Sequence, residues 1–293
     1  MVVSIMHKAY DLISRLNLLG KPLSKGQQKI ADYINDHYDF AADMTTVNLA
    51  KCVNVSESTV VRFAVAMGYQ GFPHFQKALS ELVRHHLTSS QRFRMSQNMT
   101  GLGLMTNVLK ADMNNIRLTL EEVNTGVFMD AVQHIVASEA IYVIGLRSAA
   151  PLALFLSYYL SYIFDNVRLL SVGIADAFEE IIHINKNDML IGISFPRYST
   201  RTVETMHLAR KSGAQVIGIT DGPLSPLHQA SDICLQAKTI TSTFVDSLAA
   251  PLSLLNALIV TLALHRKEAL DSHFDMLETL WDARSVYLCE DKE

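Results

Sequence analysis

Residues 45–68 read Thr-Thr-Val-Asn-Leu-Ala-Lys-Cys-Val-Asn-Val-Ser-Glu-Ser-Thr-Val-Val-Arg-Phe-Ala-Val-Ala-Met-Gly. The pattern predicts two short helices joined by a tight polar turn, with the motif over about 46–65. Leu49, Val55, Val60 and Phe63 recur at spacings that let the two helices pack. Ser56 stands where an N-cap belongs, because its hydroxyl can accept from an orphan backbone N–H two or three residues on. That placement leaves Glu57, Ser58, Thr59 and Arg62 on the outer face of the second helix. A helix offering small hydroxyls and one arginine at its N-terminal end suits the major groove of DNA, where it can hydrogen-bond base edges and phosphates. Lys51, Ser56 and Arg62 are the candidate phosphate contacts; Ser58 and Thr59 are better placed for bases. The plainer reading of Arg62 is a surface ion pair with Glu57 or Glu81. Two such units would read a palindromic site in double-stranded DNA.

The flanking residues extend an all-helical unit over 1–87. Tyr10 to Leu19 is apolar-periodic, and Leu23-Ser24-Lys25 opens a helix through Ile30, Tyr33 and Ile34. Beyond the motif, Gly68-Tyr69-Gln70-Gly71-Phe72-Pro73 turns into a helix from Phe75 to His86, where Phe75, Leu79, Leu82 and Val83 make one stripe. Residues 88–105 shift to Thr, Ser, Gln, Asn and Gly with Arg92 and Arg94, the composition of a linker. Charge divides along the same line. The net charge is -4, yet residues 1–94 hold 11 Lys and Arg against 7 Asp and Glu, while 95–293 hold 14 against 22. A basic head on an acidic body fits a DNA-binding module joined to a domain with other work. At 49% hydrophobic and 18% charged over 293 residues, the chain can bury one large core or two modest ones.

From 106 to 293 the pattern changes. A helix to about Asn124 and another from Val127 to Ala137 precede five apolar, strand-like runs at 140–144, 167–170, 188–193, 215–219 and 233–235. Helical stretches lie between them at 151–164, 177–183 and 201–212. Short apolar strands alternating with helices predict an α/β fold, a five-stranded and mostly parallel sheet covered on both faces as an α-β-α sandwich, with its core over about 127–265. Such sheets bind ligands at the C-terminal ends of their strands. Residues 251–264 read as a buried helix that covers the sheet and supports a homodimer or homotetramer. The surrounding run Ser247 to Leu264 holds Pro251, Ser253, Asn256 and Thr261 and is marginal in length for a membrane span, so no membrane is expected. Phe274, Leu277, Leu280 and Trp281 suggest a C-terminal helix packed on the domain or on a neighbouring subunit.

Three strand ends carry polar residues. Gly145-Leu146-Arg147-Ser148-Ala149 follows the first strand and enters a helix, a geometry that offers backbone N–H groups to an anion. Ser194-Phe195-Pro196-Arg197-Tyr198-Ser199-Thr200-Arg201-Thr202 follows the third. Capping by Ser199 or Thr200 explains either hydroxyl singly, but not the whole cluster. Thr220-Asp221-Gly222-Pro223 after the fourth strand is turn chemistry and shapes the rim. The first two turns would form an anion pocket with Arg147 and Arg197 as charge partners and Ser148, Ser194, Ser199 and Thr200 as hydroxyl contacts, which a phosphorylated sugar would satisfy.

Taken together, these stretches resemble an RpiR-type bacterial transcriptional regulator: an N-terminal helix-turn-helix domain followed by a sugar isomerase (SIS) domain. The most specific piece is Val55-Ser56-Glu57-Ser58-Thr59-Val60-Val61-Arg62-Phe63 through Met67-Gly68-Tyr69-Gln70-Gly71-Phe72, which is similar to the family's recognition helix and the turn after it. Ile217-Gly218-Ile219-Thr220-Asp221, Ser225-Pro226-Leu227 and Ala230-Ser231-Asp232 are similar to a recurring SIS pattern. The resemblance implies phosphosugar sensing, control of sugar catabolism genes and a SIS domain that mediates oligomers. Two loops depart from the family. SIS phosphate loops commonly read Ser-x-Ser/Thr-Gly-x-Thr, where this chain has Ser194, Pro196, Arg197 and Ser199. The first turn usually reads Gly-x-Gly-Ser-Ser; here Arg147 replaces the second glycine, Ser148 stays and Ala149 loses a hydroxyl. Two glycines have become arginines at the loops expected to face the ligand, which widens the expected effector to an acidic sugar or another carboxylate.

The rival class is an isomerase with an accessory helical domain. Aldose–ketose isomerisation needs a general base, and Glu179, Glu180, His183 and His228 are candidates whose spacing singles out none of them. The helix-turn-helix has no use in an isomerase, which favours a sensor. His85 and His86 are adjacent and point to different helix faces, so no metal is expected, and no cofactor. Cys52, Cys234 and Cys289 are odd in number and far apart, as reduced thiols of a bacterial cytoplasmic protein would be. Met1 to Lys8 lacks the ordered regions of a secretory signal.

Overall fold

Capping chemistry defines the helices of the N-terminal unit. The computed structural model describes residues 23–37, 41–42, 44–76, 78–79, 89–96, 101–171, 176–241 and 243–287, and the chain divides into two compact units between Arg94 and Met95. Ser24 closes a capping box on α1 (Lys25–Asp36): its hydroxyl accepts from the Gln27 N–H at 3.4 Å while the Gln27 side chain accepts from the Ser24 N–H at 3.0 Å. Thr45 caps α2 (Thr46–Cys52) and Ser56 caps α3 (Glu57–Ala66), each accepting a backbone N–H at 3.3 Å. The turn between α2 and α3 passes through Asn54, whose φ of 53° lies in the left-handed region. Asn tolerates that conformation better than most side chains. Ile30, Ile34, Leu49, Val60, Phe63 and Phe75 fill the core of this unit, and Phe75 meets Phe63 and Tyr69 edge-on at 5.5 Å each. Residues 72–76 and 78–79 are helical. The expected helix over Tyr10–Leu19 and the stripe positions Leu82 and Val83 lie outside the described residues.

The stretch read as a linker contains α4 (Ser89–Ser96), and the helix expected from Thr106 begins earlier, as α5 (Gly101–Glu122). α6 (Thr125–Ala137) follows, its N-terminus held by Asn124 Oδ1, which accepts from the Gly126 and Val127 N–H groups. Then come β1 (Ile141–Gly145), a 3-10 turn (Arg147–Ala149), α7 (Ala150–Ile163), β2 (Val167–Leu170), α8 (Ala177–Glu180), β3 (Met189–Ile193) and α9 (Thr200–Lys211). β4 (Gln215–Thr220), α10 (Pro226–Ala230), β5 (Ile233–Gln236), α11 (Ala249–His265) and α12 (Lys267–Arg284) complete the unit. The strands lie in the order β2-β1-β3-β4-β5 and every neighbouring pair is parallel.

Alternation along the strands sorts the two faces of this sheet. Ile141, Val143, Met189, Ile191, Ile193, Ile217 and Ile219 pack with residues of α6, α7 and α11, including Ile135, Leu156, Leu160, Leu255 and Leu258. Tyr142, Ile144, Leu190 and Val216 face Ala177, Met206, Ala209 and Leu227 on α8, α9 and α10. Gly192 points to this second face, where a Cβ would stand 2.3 Å from Met206 Sδ, so the glycine sets how closely α9 approaches the sheet. The apolar run marked for a membrane check is α11, whose Pro251, Leu254, Leu255, Leu258, Ile259 and Leu262 are buried. Among the described residues no single helix is long and apolar enough to cross a membrane.

α5 is clasped to the segment that follows β5. Asn115 is fully buried; its amide donates to the Ile240 carbonyl at 2.8 Å and to Ser247 Oγ at 3.1 Å, and its Oδ1 accepts from the Ile240 N–H at 3.0 Å. Ser247 in turn donates to Asp112 at 2.6 Å, Thr119 accepts from the Lys238 N–H at 2.9 Å, and Lys238 pairs with Glu122 at 2.6 Å.

Two outcomes are expected in thermal melts. Asn115→Ala leaves the half-buried N–H and carbonyl of Ile240 without their side-chain partner and lowers stability by about 2 kcal/mol. Asn54→Ala forces a residue with a Cβ and no local polar group into the left-handed turn and costs about 1 kcal/mol, whereas Asn54→Gly is neutral or stabilising.

Candidate functional site

The first candidate surface is the outer side of α3. Ser56, Ser58 and Arg62 are exposed and Thr59 is half-buried. Ser56 Oγ, besides capping the helix, lies 2.9 Å from Ser58 Oγ and 2.8 Å from Thr59 Oγ1. Arg62 lies back along the same turn, with Nε donating to the Ser58 carbonyl at 3.2 Å and Nη2 to Thr59 Oγ1 at 3.5 Å. The structure thus joins Ser56, Ser58, Thr59 and Arg62 in one hydrogen-bonded cluster at the helix N-terminus. Among the described residues no ion pair holds Arg62, and Glu81, one of its expected partners, lies outside them. Lys51 is exposed in the last turn of α2. Val61 and Val65, which the sequence reading passed over, are exposed on α3 while Val60 is fully buried.

The second candidate lies at the C-terminal edge of the sheet. In the order β2-β1-β3-β4-β5 the connections reverse direction between β1 and β3, the switch point at which ligands bind in open α/β sheets. Gly145 pairs with Ile193 at the ends of these strands, so the loops after them start side by side. The first loop turns at once. A Cβ on Gly145 would lie 2.9 Å from the Ala149 carbonyl oxygen and from Ala153 Cβ, so only glycine fits. Arg147 follows with a φ of 59°, and Arg197 in the second loop has a φ of 67°. Both arginines, which stand where the family pattern has glycine, keep the backbone conformation that glycine favours. Arg147, Ser148, Arg197 and Thr200 are exposed, while Ser194 and Ser199 are buried.

Ser194 and Ser199 build the second loop. Ser194 Oγ accepts from the Ser199 N–H at 3.0 Å, and Ser199 Oγ accepts from the Thr202 N–H at 3.3 Å as the N-cap of α9. Each hydroxyl uses an acceptor site in this way and keeps its own proton to donate. Between them Tyr198 donates to Asp221 Oδ1 at 2.7 Å, and Asp221 also accepts from Thr220 at 3.2 Å. Thr220 and Ser225 are hydrogen-bonded at 2.7 Å, and Ser225 caps α10. The turn after β4 therefore braces the loop after β3. Burial, followed by the Asp221 charge, pushes the Tyr198 hydroxyl far above the ordinary tyrosine range, so it remains a donor to Asp221. Arg201, the other arginine of the cluster, forms an ion pair with Asp176. Residues 23 apart in sequence make the Tyr198–Asp221 bond, and no local pattern announces it.

Of the four candidate bases, Glu179, His183 and His228 are exposed and Glu180 is half-buried. Among the described residues no group of three or more His, Cys, Asp or Glu side chains is placed to hold a metal ion. Cys52 is exposed and Cys234 half-buried, both as free thiols; burial raises the Cys234 thiol to about 11.

Comparison with known proteins agrees with this two-part architecture. Residues 11–85 match the helix-turn-helix domain of the rpiR family, and residues 134–261 match the SIS domain. An uncharacterized HTH-type transcriptional regulator of Clostridium perfringens is 23% identical over 227 residues, covering 75% of this chain and 80% of that protein. One from Haemophilus influenzae is 24% identical over 243 residues, covering 78% and 81%. Among solved structures, the sugar isomerase domain of an RpiR transcription factor from Sphaerobacter thermophilus superposes with a TM-score of 0.58 at 23% identity, covering 60% of this chain and 98% of that one. The Vibrio vulnificus NanR protein complexed with ManNAc-6P gives a TM-score of 0.58 at 22% identity, covering 93% and 99%. At these identities the structural likeness speaks to the fold. With an rpiR-family helix-turn-helix domain and a SIS domain in one chain, the protein belongs to the RpiR family of helix-turn-helix transcriptional regulators.

Proposed function

We propose that this regulator senses an anionic sugar, a sugar phosphate or a sugar acid, at the C-terminal edge of its parallel sheet, and that it controls genes of carbohydrate catabolism. The observation that carries the reading is the pair of arginines in left-handed backbone, Arg147 after β1 and Arg197 after β3, on neighbouring strands at the switch point. Left-handed backbone disfavours an L-residue by about 1–2 kcal/mol, and glycine would relieve it. Strain of this kind persists where the residue serves a site. A guanidinium suits phosphate and carboxylate alike, and Ser148, Ser194, Ser199 and Thr200 supply hydroxyls to the same two loops. The complex of NanR with ManNAc-6P favours a sugar phosphate as the first ligand to test.

In this mechanism the protein acts as a homodimer or homotetramer whose paired α3 helices read a palindromic operator. Effector binding reaches the operator through α5, the long helix that follows the DNA-binding unit in the chain and is clasped by Asn115 to the segment after β5. Only a difference in effector affinity between two arrangements can drive that response.

Calorimetry of the full chain against ManNAc-6P, other sugar phosphates, sugar acids and inorganic phosphate tests the effector site. One ligand class binds the wild type, and the Arg147→Ala, Arg197→Ala double variant loses at least tenfold in affinity. The Arg147→Gly, Arg197→Gly variant loses affinity as well but melts higher, by about 0.5–1 kcal/mol per site once glycine's larger chain entropy is counted. Unchanged affinity in both variants would overturn the arginine site, and conversion of a bound sugar phosphate to its isomer would make the protein an isomerase. For the DNA-binding unit, Arg62→Ala lowers affinity for duplex DNA at every sequence and reduces the salt-dependence slope by about 1. Titration of labelled duplexes between 50 and 200 mM salt, about the range over which phosphate contacts are lost, reads both effects; an unaltered slope would remove Arg62 from the backbone contacts.

A further inference from the structure

The outer face of α3 carries a feature that phosphate and hydroxyl contacts leave unexplained. Val61 is 41% exposed and Val65 55% exposed, whereas Val60 is fully buried in the core. β-Branched residues lose side-chain freedom in a helix, so propensity does not account for two of them on a solvent-facing side. Nor does packing among the described residues, where neither belongs to the core of the N-terminal unit or to the residues packed against it. Ser58, Val61, Arg62 and Val65 recur at i, i+3, i+4 and i+7 and so share one face of the helix. Arg62 sits between the two valines. Arg62 within the stripe and the exposed Lys51 on the preceding helix outnumber the single carboxylate of this face, Glu57, and favour a polyanion over an apolar protein surface as the occupant.

We infer that Val61 and Val65 read the methyl groups of thymines in the DNA major groove and thereby set part of the operator sequence. Thymine alone presents a methyl group there, and an aliphatic side chain is its natural contact. The four-residue separation of the valines is about 6 Å along the helix axis. That is less than two steps of about 3.4 Å along the duplex, so the two contacts fall on neighbouring or next-neighbouring base pairs. Ser58, one turn before Val61, supplies a hydrogen-bonding group to the same groove, and Arg62 holds the register from the backbone. Each half-site then contains thymines, on either strand, within a few base pairs of one another. The inference rests on α3 lying in the major groove.

The test uses the full-length chain and random duplex DNA. The sequence most enriched by the wild-type protein is remade with each thymine replaced in turn by deoxyuracil, which removes only the 5-methyl group. One or two replacements per half-site lower wild-type affinity about fourfold each, the gain expected from withdrawing one methyl group from water; the others have no effect. In Val61→Ala one of these sensitivities disappears, and in Val65→Ala the other. Alanine is the better helix former at an exposed position, so both variants fold, and a thermal melt verifies it. Uracil tolerance at every thymine would overturn the inference, and so would equal uracil sensitivity in the wild type and both alanine variants. If no sequence is enriched above random duplex, α3 is not a sequence reader and the inference falls with it, a result distinguishable from selective binding that ignores the methyl groups.

Discussion

Parallel strands cannot return through a two-residue hairpin; each needs a crossover long enough to pass over a face of the sheet. That constraint organises the C-terminal unit. The crossovers here are helices, they bury both faces, and they leave β1 and β3 buried along their whole length. All strands point the same way, so every loop that leaves a strand C-terminus arrives at one edge. Reversal of the strand order between β1 and β3 then sets two of those loops side by side, although Arg147 and Arg197 are far apart in the chain. The site is a consequence of the topology before it is a matter of side chains.

At that edge the backbone, not only the side chains, is unusual. Two arginines adopt a conformation that disfavours them, and the surrounding structure holds them there. Gly145 permits the first turn because any side chain would collide with Ala149 and Ala153. The second loop is held by Ser194 accepting from Ser199, by the cap Ser199 places on α9, and by Tyr198 bonded to Asp221 in the next loop. Buried hydrogen bonds of this kind are costly to leave unmade, so they specify one loop conformation rather than several.

Much of this was legible in the residue pattern. The five apolar runs, the capping serine Ser56, and the small hydroxyls with Arg62 on one helix are local signals, because period and capping act over a few residues. The pattern misled where composition stands for structure. Residues 88–105 read as a polar linker, yet Ser89–Ser96 is helical and α5 begins at Gly101. Polar composition reports exposure, and an exposed helix has the same composition as a loop. Asn115 shows the converse: a polar residue in a long helix looks like surface, but it is fully buried against Ile240 and Ser247, more than a hundred positions on.

Local pattern alone specifies the two-part architecture, the strand and helix alternation, the serine cap on α3 and the identity of the two loops in which arginine replaces glycine. These depend on near-neighbour stereochemistry and on hydrophobic period, which a chain displays locally. Only the tertiary structure decided that every strand pair is parallel, that β1 and β3 are neighbours, that Arg147 and Arg197 keep a left-handed backbone, and that Tyr198 is tied to Asp221. It also decided which valines of α3 face the core and which face outward. Those outcomes follow from which segments meet in space, and contacts between distant segments leave no periodic trace in a single sequence.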